Sequence, residues 1–447
     1  MKNKNNLYSI ISMILIVVVT WVIASMVVGN NDNKEEKNNN KSNVVLGKGE
    51  ATLEKDEAKD SDKNKEDNKD IDKKTEGNEE KKDKKEEGEI TITSLGNILI
   101  HDEQLNSAKK NDGYDFSSSF EYIKERVKGS DIAIAVLETT LQGNDNYSGY
   151  PFFNTPDVII DNLKDTGISH VNFGNNHILD GGQASLPRTI NVTRNRDLGV
   201  LGIRKNVNED NYTIEEFNGE KIGLISYVYE SAEIDGVSYV NGIPMEDDTK
   251  DLINTFNYEK LDSFYSDLEK NISTMKNKGA NFIVVNLHWG SEYSNEPDWY
   301  QKTIAKKLND MGVNIILGNH PHVIQPYEIL TNSEGKKTFV SYSQGNNLSN
   351  QCLETVGNAK TEDGFILKFN IKKGDNGLEI KDYTVIPVWT LRELREDGKY
   401  SHKILPLDDL EIENGLVYGQ VEKARIDNIL QRIEEVLGEG KIGTFKF

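Results

Sequence analysis

A single cysteine, Cys352, is all that the 447 residues carry, so an internal disulfide is excluded and any folded part must rely on its apolar core. Basic residues are also scarce, with 53 Lys and Arg against 74 Asp and Glu and a formal net charge of -21. So acidic a chain, lacking any basic or aromatic-rich RNA motif, is not built for non-specific binding to nucleic acid. No Gly-x-Ser-x-Gly elbow surrounds Ser94, Ser226 or Ser341, all in strand-like runs, which argues against a serine hydrolase. Aromatic residues are missing altogether from positions 29–89, where 15 Lys face 20 Asp and Glu. Too little apolar surface remains there to offset the entropy of ordering, so this stretch reads as a hydrated, disordered linker. As a flexible coil it would reach roughly 40 Å, enough to hold a domain clear of lipid headgroups.

One long apolar run precedes that linker. Residues 7–28, LYSIISMILIVVVTWVIASMVV, carry no charge and are long enough to cross a bilayer as a helix. Lys2 and Lys4 lie before the run and no Lys or Arg follows until Lys34, so the positive-inside bias keeps residues 1–6 in the cytoplasm and exports the remainder. A cleaved signal peptide is the alternative, although its apolar region runs to about 7–15 residues and Ala24-Ser25-Met26 makes a poor cleavage site. The expectation is a single-pass anchor in the cell membrane bearing an extracytoplasmic domain.

From Ile90 onward, strand-like and helix-like periods alternate. EITITSLGNILI reads as a strand, FEYIKERVKG as a helix, DIAIAVLE as a strand and PDVIIDNLKDTG as a helix, with Pro156 in its first turn and Gly167 as its stop. KIGLISYVY, NFIVVNLHW, VNIILGNHPH and TFVSYSQGN continue the strand series between helical segments, which implies an α/β fold. DGFILKFNIKK and LEIKDYTVIPVW look like antiparallel strands, and Gly419 to Leu437 like a closing helix. The expected division is a main domain over 90–387 and a C-terminal segment over 388–447.

Polar residues collect where the strands end. Of the seven histidines, His177, His288, His320 and His322 follow apolar runs, joined by Glu138 and His101. Ligands in open α/β sheets bind beyond the carboxyl ends of strands, so Asn97, Glu138, His177, His288, His320 and Asn346 are expected near one mouth. Imidazole and carboxylate suit a divalent Zn, Mn or Fe ion; the plainer alternative is a set of unrelated core or surface histidines. Trp289 and Tyr293 could line a substrate groove or simply pack. Asn346 could contact substrate or end its strand through turn chemistry.

The strings GNILIHDEQL, VLETTL, FGNNHILDGG, NLHWGSEY, LGNHPHVIQP and SYSQGNNLSN, in that order between about Ile90 and Pro387, resemble the CapA-type poly-γ-glutamate capsule synthesis proteins. That family is similar to calcineurin-like metallophosphoesterases, and the resemblance implies a four-layer α/β/β/α sandwich with a two-metal site. It implies that Glu138 bridges two metals, that Asn176, His288, His320 and His322 ligate, and that His177 is the general acid for a leaving oxygen. Three departures stand out. The first strand ends in Gly96-Asn97 where the phosphoesterase pattern has Gly-Asp. Leu99 stands where it has histidine, with His101 nearby as a partial substitute. The last motif reads Asn319-His320-Pro321-His322 rather than His-His-Pro-His. A neutral amide in place of an anionic ligand weakens the first metal position and leaves the second as the better one.

Two functions follow from the resemblance together with the residues. One is a membrane-anchored accessory protein of poly-γ-glutamate capsule biosynthesis or export, partnered by the membrane components of a capsule synthase and by the anionic polymer. The other is an extracytoplasmic metal-dependent phosphoesterase or related hydrolase. The acidic surface restricts polymer contact to local patches or to bridging by divalent cations.

Overall fold

The computed structural model describes residues 88–375 and 377–447. The anchor expected over 7–28 and nearly all of the linker expected over 29–89 lie outside the described residues. Among the described residues no helix is long and apolar enough to cross a membrane. Glu89, the last residue of the expected linker, is buried, and its carboxylate accepts a hydrogen bond from Lys381 Nζ at 2.5 Å; it belongs to the fold.

Two mixed sheets form the body. The first contains β1 (Ile90–Ile98), β2 (Ile132–Leu137), β3 (His170–Asn172) and β4 (Gly199–Leu201), all parallel, with α1 (Val158–Thr166) and α2 (Ser185–Arg194) in the crossovers. The second contains β5 (Thr213–Phe217), β6 (Glu220–Tyr229), β7 (Thr255–Phe256), β8 (Ala280–His288), β9 (Ile315–Asn319), β10 (Ile324–Thr331) and β11 (Lys337–Gln344). Helix α3 (Leu261–Asn277) precedes β8 and α4 (Trp299–Asp310) precedes β9. Strands β7, β6, β8, β9 and β11 run parallel, while β5 and β10 pair antiparallel at either side.

The chain then returns to the first sheet. β12 (Asn346–Leu348) pairs in parallel with β1, and β13 (Asp363–Gly374), β14 (Gly377–Leu394) and β15 (Tyr400–Pro406) extend it antiparallel. Helix α5 (Lys423–Leu437) and β16 (Gly443–Lys446), which pairs with β14, complete it.

The side-chain period of two decides the layering. In β8, Phe282 and Val284 join Ile92, Ile134, Leu224 and Leu317 in one apolar cluster between the sheets, while Ile283, Val285 and Leu287 point the other way and pack with Leu268 of α3 and Ile304 of α4. On the first sheet Ala133, Ala135 and Leu137 meet Ile160 and Leu163 of α1 and Ile190 of α2. Burial on both faces explains why the parallel strands read as nearly unbroken apolar runs.

Three sequence expectations are corrected. The division at 387/388 falls inside β14, and residues 388–447 lie in the same compact unit as the preceding strands. The closing helix starts at Lys423 rather than Gly419, because Gly419 adopts φ +70° in a turn between two short paired strands. Pro156 stands two residues ahead of α1, its carbonyl accepting from the Ile159 N–H at 3.1 Å. Gly167 does terminate that helix, at φ +105°.

Arg432 of α5 holds Asp363 at the start of β13 through two hydrogen bonds of 2.5 and 2.6 Å. Burial lifts the Asp363 carboxyl to about 6 even with that guanidinium beside it. Arg432→Ala is expected to lower unfolding stability by about 3 kcal/mol in a urea titration, since it strands a buried carboxylate. A loss below about 1 kcal/mol would contradict this account of how the C-terminal helix is tied to the sheet.

Candidate functional site

Parallel strands place their carboxyl ends on one side, and there the chemistry gathers. Register pairs Asn97 with Asn346, Ile98 with Leu137 next to Glu138, and His288 with Asn319, which precedes His320. The turn after β3 brings Asn176 to His288, whose Nε2 donates to Asn176 Oδ1 at 2.8 Å. That bond leaves His288 Nδ1 as the bare nitrogen, buried without a partner among the described residues.

His322 is oriented in a similar way. Its Nδ1 lies 3.1 Å from Asn346 Oδ1 and 3.4 Å from Asn97 Nδ2, while Nε2 faces Glu138 Oε2 at 3.9 Å. A ring nitrogen tied to an amide carbonyl frees the other for a ligand, the arrangement that fixes metal-binding histidines. His320 lies between them, its ring 4.8 Å from that of His288 and 6.0 Å from that of His322. Its Nδ1 has no partner among the described residues.

Glu138 is fully buried at the centre, and neither carboxylate oxygen has a hydrogen-bond partner among the described residues. Burial, reinforced by Glu292 and Asp180, holds its carboxyl well above the usual value. Burial also drives the imidazoles toward neutrality: His288 and His320 lie well below their usual value, and His322 falls to about 3 despite its Asn346 bond. Neutral imidazoles with free lone pairs around an unpaired carboxylate are the donor set of a divalent metal site, so the residues present fit such an ion. Glu292, His320 and His322 also offer ligand atoms within 4.8 Å of one another.

His177 stands apart from these bare nitrogens. Its Nδ1 donates to Asp180 Oδ2 at 2.8 Å, and the same oxygen accepts from the Phe153 N–H at 2.7 Å. Nε2 is thereby the nitrogen left for proton transfer. The Phe153 ring meets His177 edge-on at 4.7 Å and His101 at 5.3 Å. His101 lies to one side of the cluster, its Nδ1 accepting from the Asn350 N–H at 3.3 Å, and burial lowers its imidazole to about 4.

The expected substrate contact at Trp289 is overturned. Its side chain is 0% exposed and its indole N–H donates to the Tyr342 carbonyl at 2.8 Å, inside the core beneath the second sheet. Alternation along the strand turns Trp289 inward once His288 faces the site. Tyr293 is instead 41% exposed, with its ring 6.2 Å from that of His322. Asn346 supports His322 from behind and also donates to the Thr361 carbonyl and Gln351 Oε1, each at 3.0 Å.

Two residues absent from the sequence reading belong to the cluster, Asp180 and Glu292. Asp180 lies three residues after His177 in FGNNHILDGG, the spacing at which a carboxylate folds back on an imidazole in a tight turn. Glu292 lies four after His288 in NLHWGSEY, and only the path of that loop brings it to His320 and His322.

A model of the family described as bacterial capsule synthesis protein PGA_cap matches residues 91–351. The capsule biosynthesis protein CapA of Bacillus anthracis is 26% identical over 315 residues, covering 68% of each chain. The PGA biosynthesis protein CapA of Bacillus subtilis is 24% identical over 306 residues, covering 64% of this chain and 73% of that one. Among solved structures, the calcineurin-like phosphoesterase YfkN of Bacillus subtilis superposes with a TM-score of 0.37 at 14% identity, over 78% of this chain and 97% of that one. A phosphatase from Mycoplasma pneumoniae superposes at 0.41 and 13% identity, over 67% and 94%.

The buried imidazoles set a pH dependence. A histidine whose folded value lies below its unfolded one stabilises the fold above about pH 6.5 and loses that contribution as pH falls through it. His101, His288, His320, His322 and His402 are of this kind. Glu138, Glu292 and Asp363, with raised values, act in the opposite sense but are fewer. Metal-free protein is expected to lose about 2–3 kcal/mol per pH unit between roughly 6 and 4.5, from a net excess of about two protons on the unfolded chain. Urea melts across that range check it, and a flat profile would show that the histidines are not buried neutral.

Proposed function

The chain belongs to the bacterial capsule synthesis protein family PGA_cap, and from that premise we propose that it serves poly-γ-glutamate capsule biosynthesis as a membrane-anchored, extracytoplasmic protein with a metal-dependent hydrolytic centre. The observation that carries the hydrolytic part is Glu138, a fully buried carboxylate with two unpartnered oxygens among neutral imidazoles. Such a group is costly to bury unless a cation completes it. Support for the capsule role comes from relatives named for capsule and PGA biosynthesis. The apolar run 7–28 and the Lys2/Lys4 bias support the anchor and its orientation.

In this reading Glu138, Asn176, His288, His320 and His322 hold a divalent Mn, Zn or Fe ion, within a four-layer metallophosphoesterase-type framework. When bound, the ion supplies electrostatic stabilisation to charge developing on a phosphoryl or carbonyl oxygen. Asn176 orients His288, and Asn346 orients His322. His177, fixed by Asp180 through Nδ1, keeps its Nε2 for delivering a proton to the leaving oxygen. Asn97 stays with the site as a neutral amide, its Nδ2 3.4 Å from His322 Nδ1, and His101 borders it through Phe153. The substrate is an anionic group presented near the capsule synthase membrane components. The net acidity of the chain makes contact with the polymer itself local to this mouth.

Full-length protein purified without chelators is expected to carry divalent metal and to cleave a phosphodiester in a manganese-dependent way. His288→Ala and His320→Ala should each remove metal and turnover together. His177→Asn should keep the metal while losing turnover by about 10²–10⁴-fold. Metal content unchanged in both alanine variants, by elemental analysis, would overturn the centre.

A further inference from the structure

The first strand ends without a carboxylate, because Asn97 and Leu99 are both neutral, yet a carboxylate reaches the same mouth from another direction. Resting on the metal-dependent reading above, we propose that Glu292 is a further ligand of that ion, adding a second carboxylate beside His320 and His322. The ligand atoms of these three residues lie within 4.8 Å of one another. Bonds of about 2.0–2.2 Å place ligands of one ion roughly 3–4.2 Å apart, so the three need to close by no more than about 2 Å.

The loop that displays Glu292 is fixed on both sides. Ahead of it, the Trp289 indole N–H donates to the Tyr342 carbonyl and the Gly290 N–H to the Tyr258 hydroxyl, both at 2.8 Å. Gly290 adopts φ +85°, and a Cβ there would meet the Gln301 side chain at 2.8 Å. Behind it, the Tyr293 N–H donates to the Pro321 carbonyl at 2.7 Å, joining the residue after Glu292 to the residue between the two histidines.

Three non-glycine residues at this junction have left-handed backbones, Tyr293 at φ +63°, His320 at +103° and His322 at +58°. Each such conformation costs about 1–2 kcal/mol and persists where the surroundings impose it for a purpose. The purpose assigned here is to turn the carboxylate and both imidazoles toward one point. A second closed circuit holds Tyr293 in place: Gln351 Nε2 donates to its hydroxyl at 3.4 Å, Asn346 Nδ2 donates to Gln351 Oε1 at 3.0 Å, and Asn346 Oδ1 meets His322 Nδ1 at 3.1 Å.

Glu292 makes no ion pair or hydrogen bond among the described residues, and its residue is exposed where Glu138 is fully buried. An acid and two imidazoles suit manganese, iron or zinc better than magnesium or calcium. Charge at the site is thus restored by a loop following β8 instead of by the end of β1.

The test titrates Mn²⁺ into chelator-stripped full-length protein, reading the free-ion electron paramagnetic resonance signal, with the visible spectrum of the Co²⁺ form as a second readout. Glu292→Gln is expected to weaken Mn²⁺ binding at least tenfold and to alter the Co²⁺ spectrum, with a smaller effect in Glu292→Asp. Wild-type affinity in Glu292→Gln, together with loss of binding in His320→Ala, would overturn the role of Glu292 and leave the metal centre standing. Wild-type affinity in His320→Ala, or no Mn²⁺ binding by the wild-type protein, would overturn both.

Discussion

The structure turns on one carboxylate. Glu138 emerges from β2 into a space closed by both sheets, with no hydrogen-bond donor among the described residues to satisfy it. Folding a charge into such a place is unfavourable by several kcal/mol unless a counter-charge arrives. The surrounding imidazoles do not supply it, since burial keeps His288, His320 and His322 neutral. What they supply is lone pairs, aimed by the amide groups of Asn176 and Asn346. The whole arrangement makes physical sense as a receptacle for a cation.

The sheets exist in the form that such a receptacle needs. Two parallel blocks, β1 to β4 and β6 to β9 with β11, pack through a shared apolar layer, which aligns their carboxyl ends at one mouth. β12 links the two sheets at that mouth, placing Asn346 beside Asn97 on the first while the preceding β11 belongs to the second. The cost of the site is borne by the loops, where His320, His322 and Tyr293 take left-handed backbones. The extended apolar core on both faces is what allows local strain of this kind to persist.

Much of this was legible before any coordinates. Apolar runs ending in Asn, Glu or His located β1, β2, β8, β9 and β11, because a strand buried on both faces must be apolar along its length and can turn polar only at its end, whereas the short parallel strands β4, β7 and β12 left no such run. Glu138, His288, His320 and His322 were readable for the same reason, whereas Asn176 entered only through what the family resemblance implies. Trp289 was misjudged because adjacency to His288 in sequence means the opposite face of a strand. Glu292 was passed over because a loop's path, set here by the bonds of Trp289, Gly290 and Tyr293, leaves no periodic trace in sequence. The boundary at Pro387 failed for another reason: composition does not reveal that a long antiparallel strand continues through a proline at Phe365's partner position.

The central claim is that a divalent ion occupies the space between Glu138 and the three buried histidines. Crystals of the manganese-loaded protein, with anomalous diffraction collected above and below the manganese edge, test it most directly. The account predicts an edge-dependent peak within coordination distance of His288, His320 or His322 and of a glutamate carboxylate, at about 2.0–2.4 Å. An absence of anomalous signal there at saturating manganese, with the histidines ordered, would contradict it.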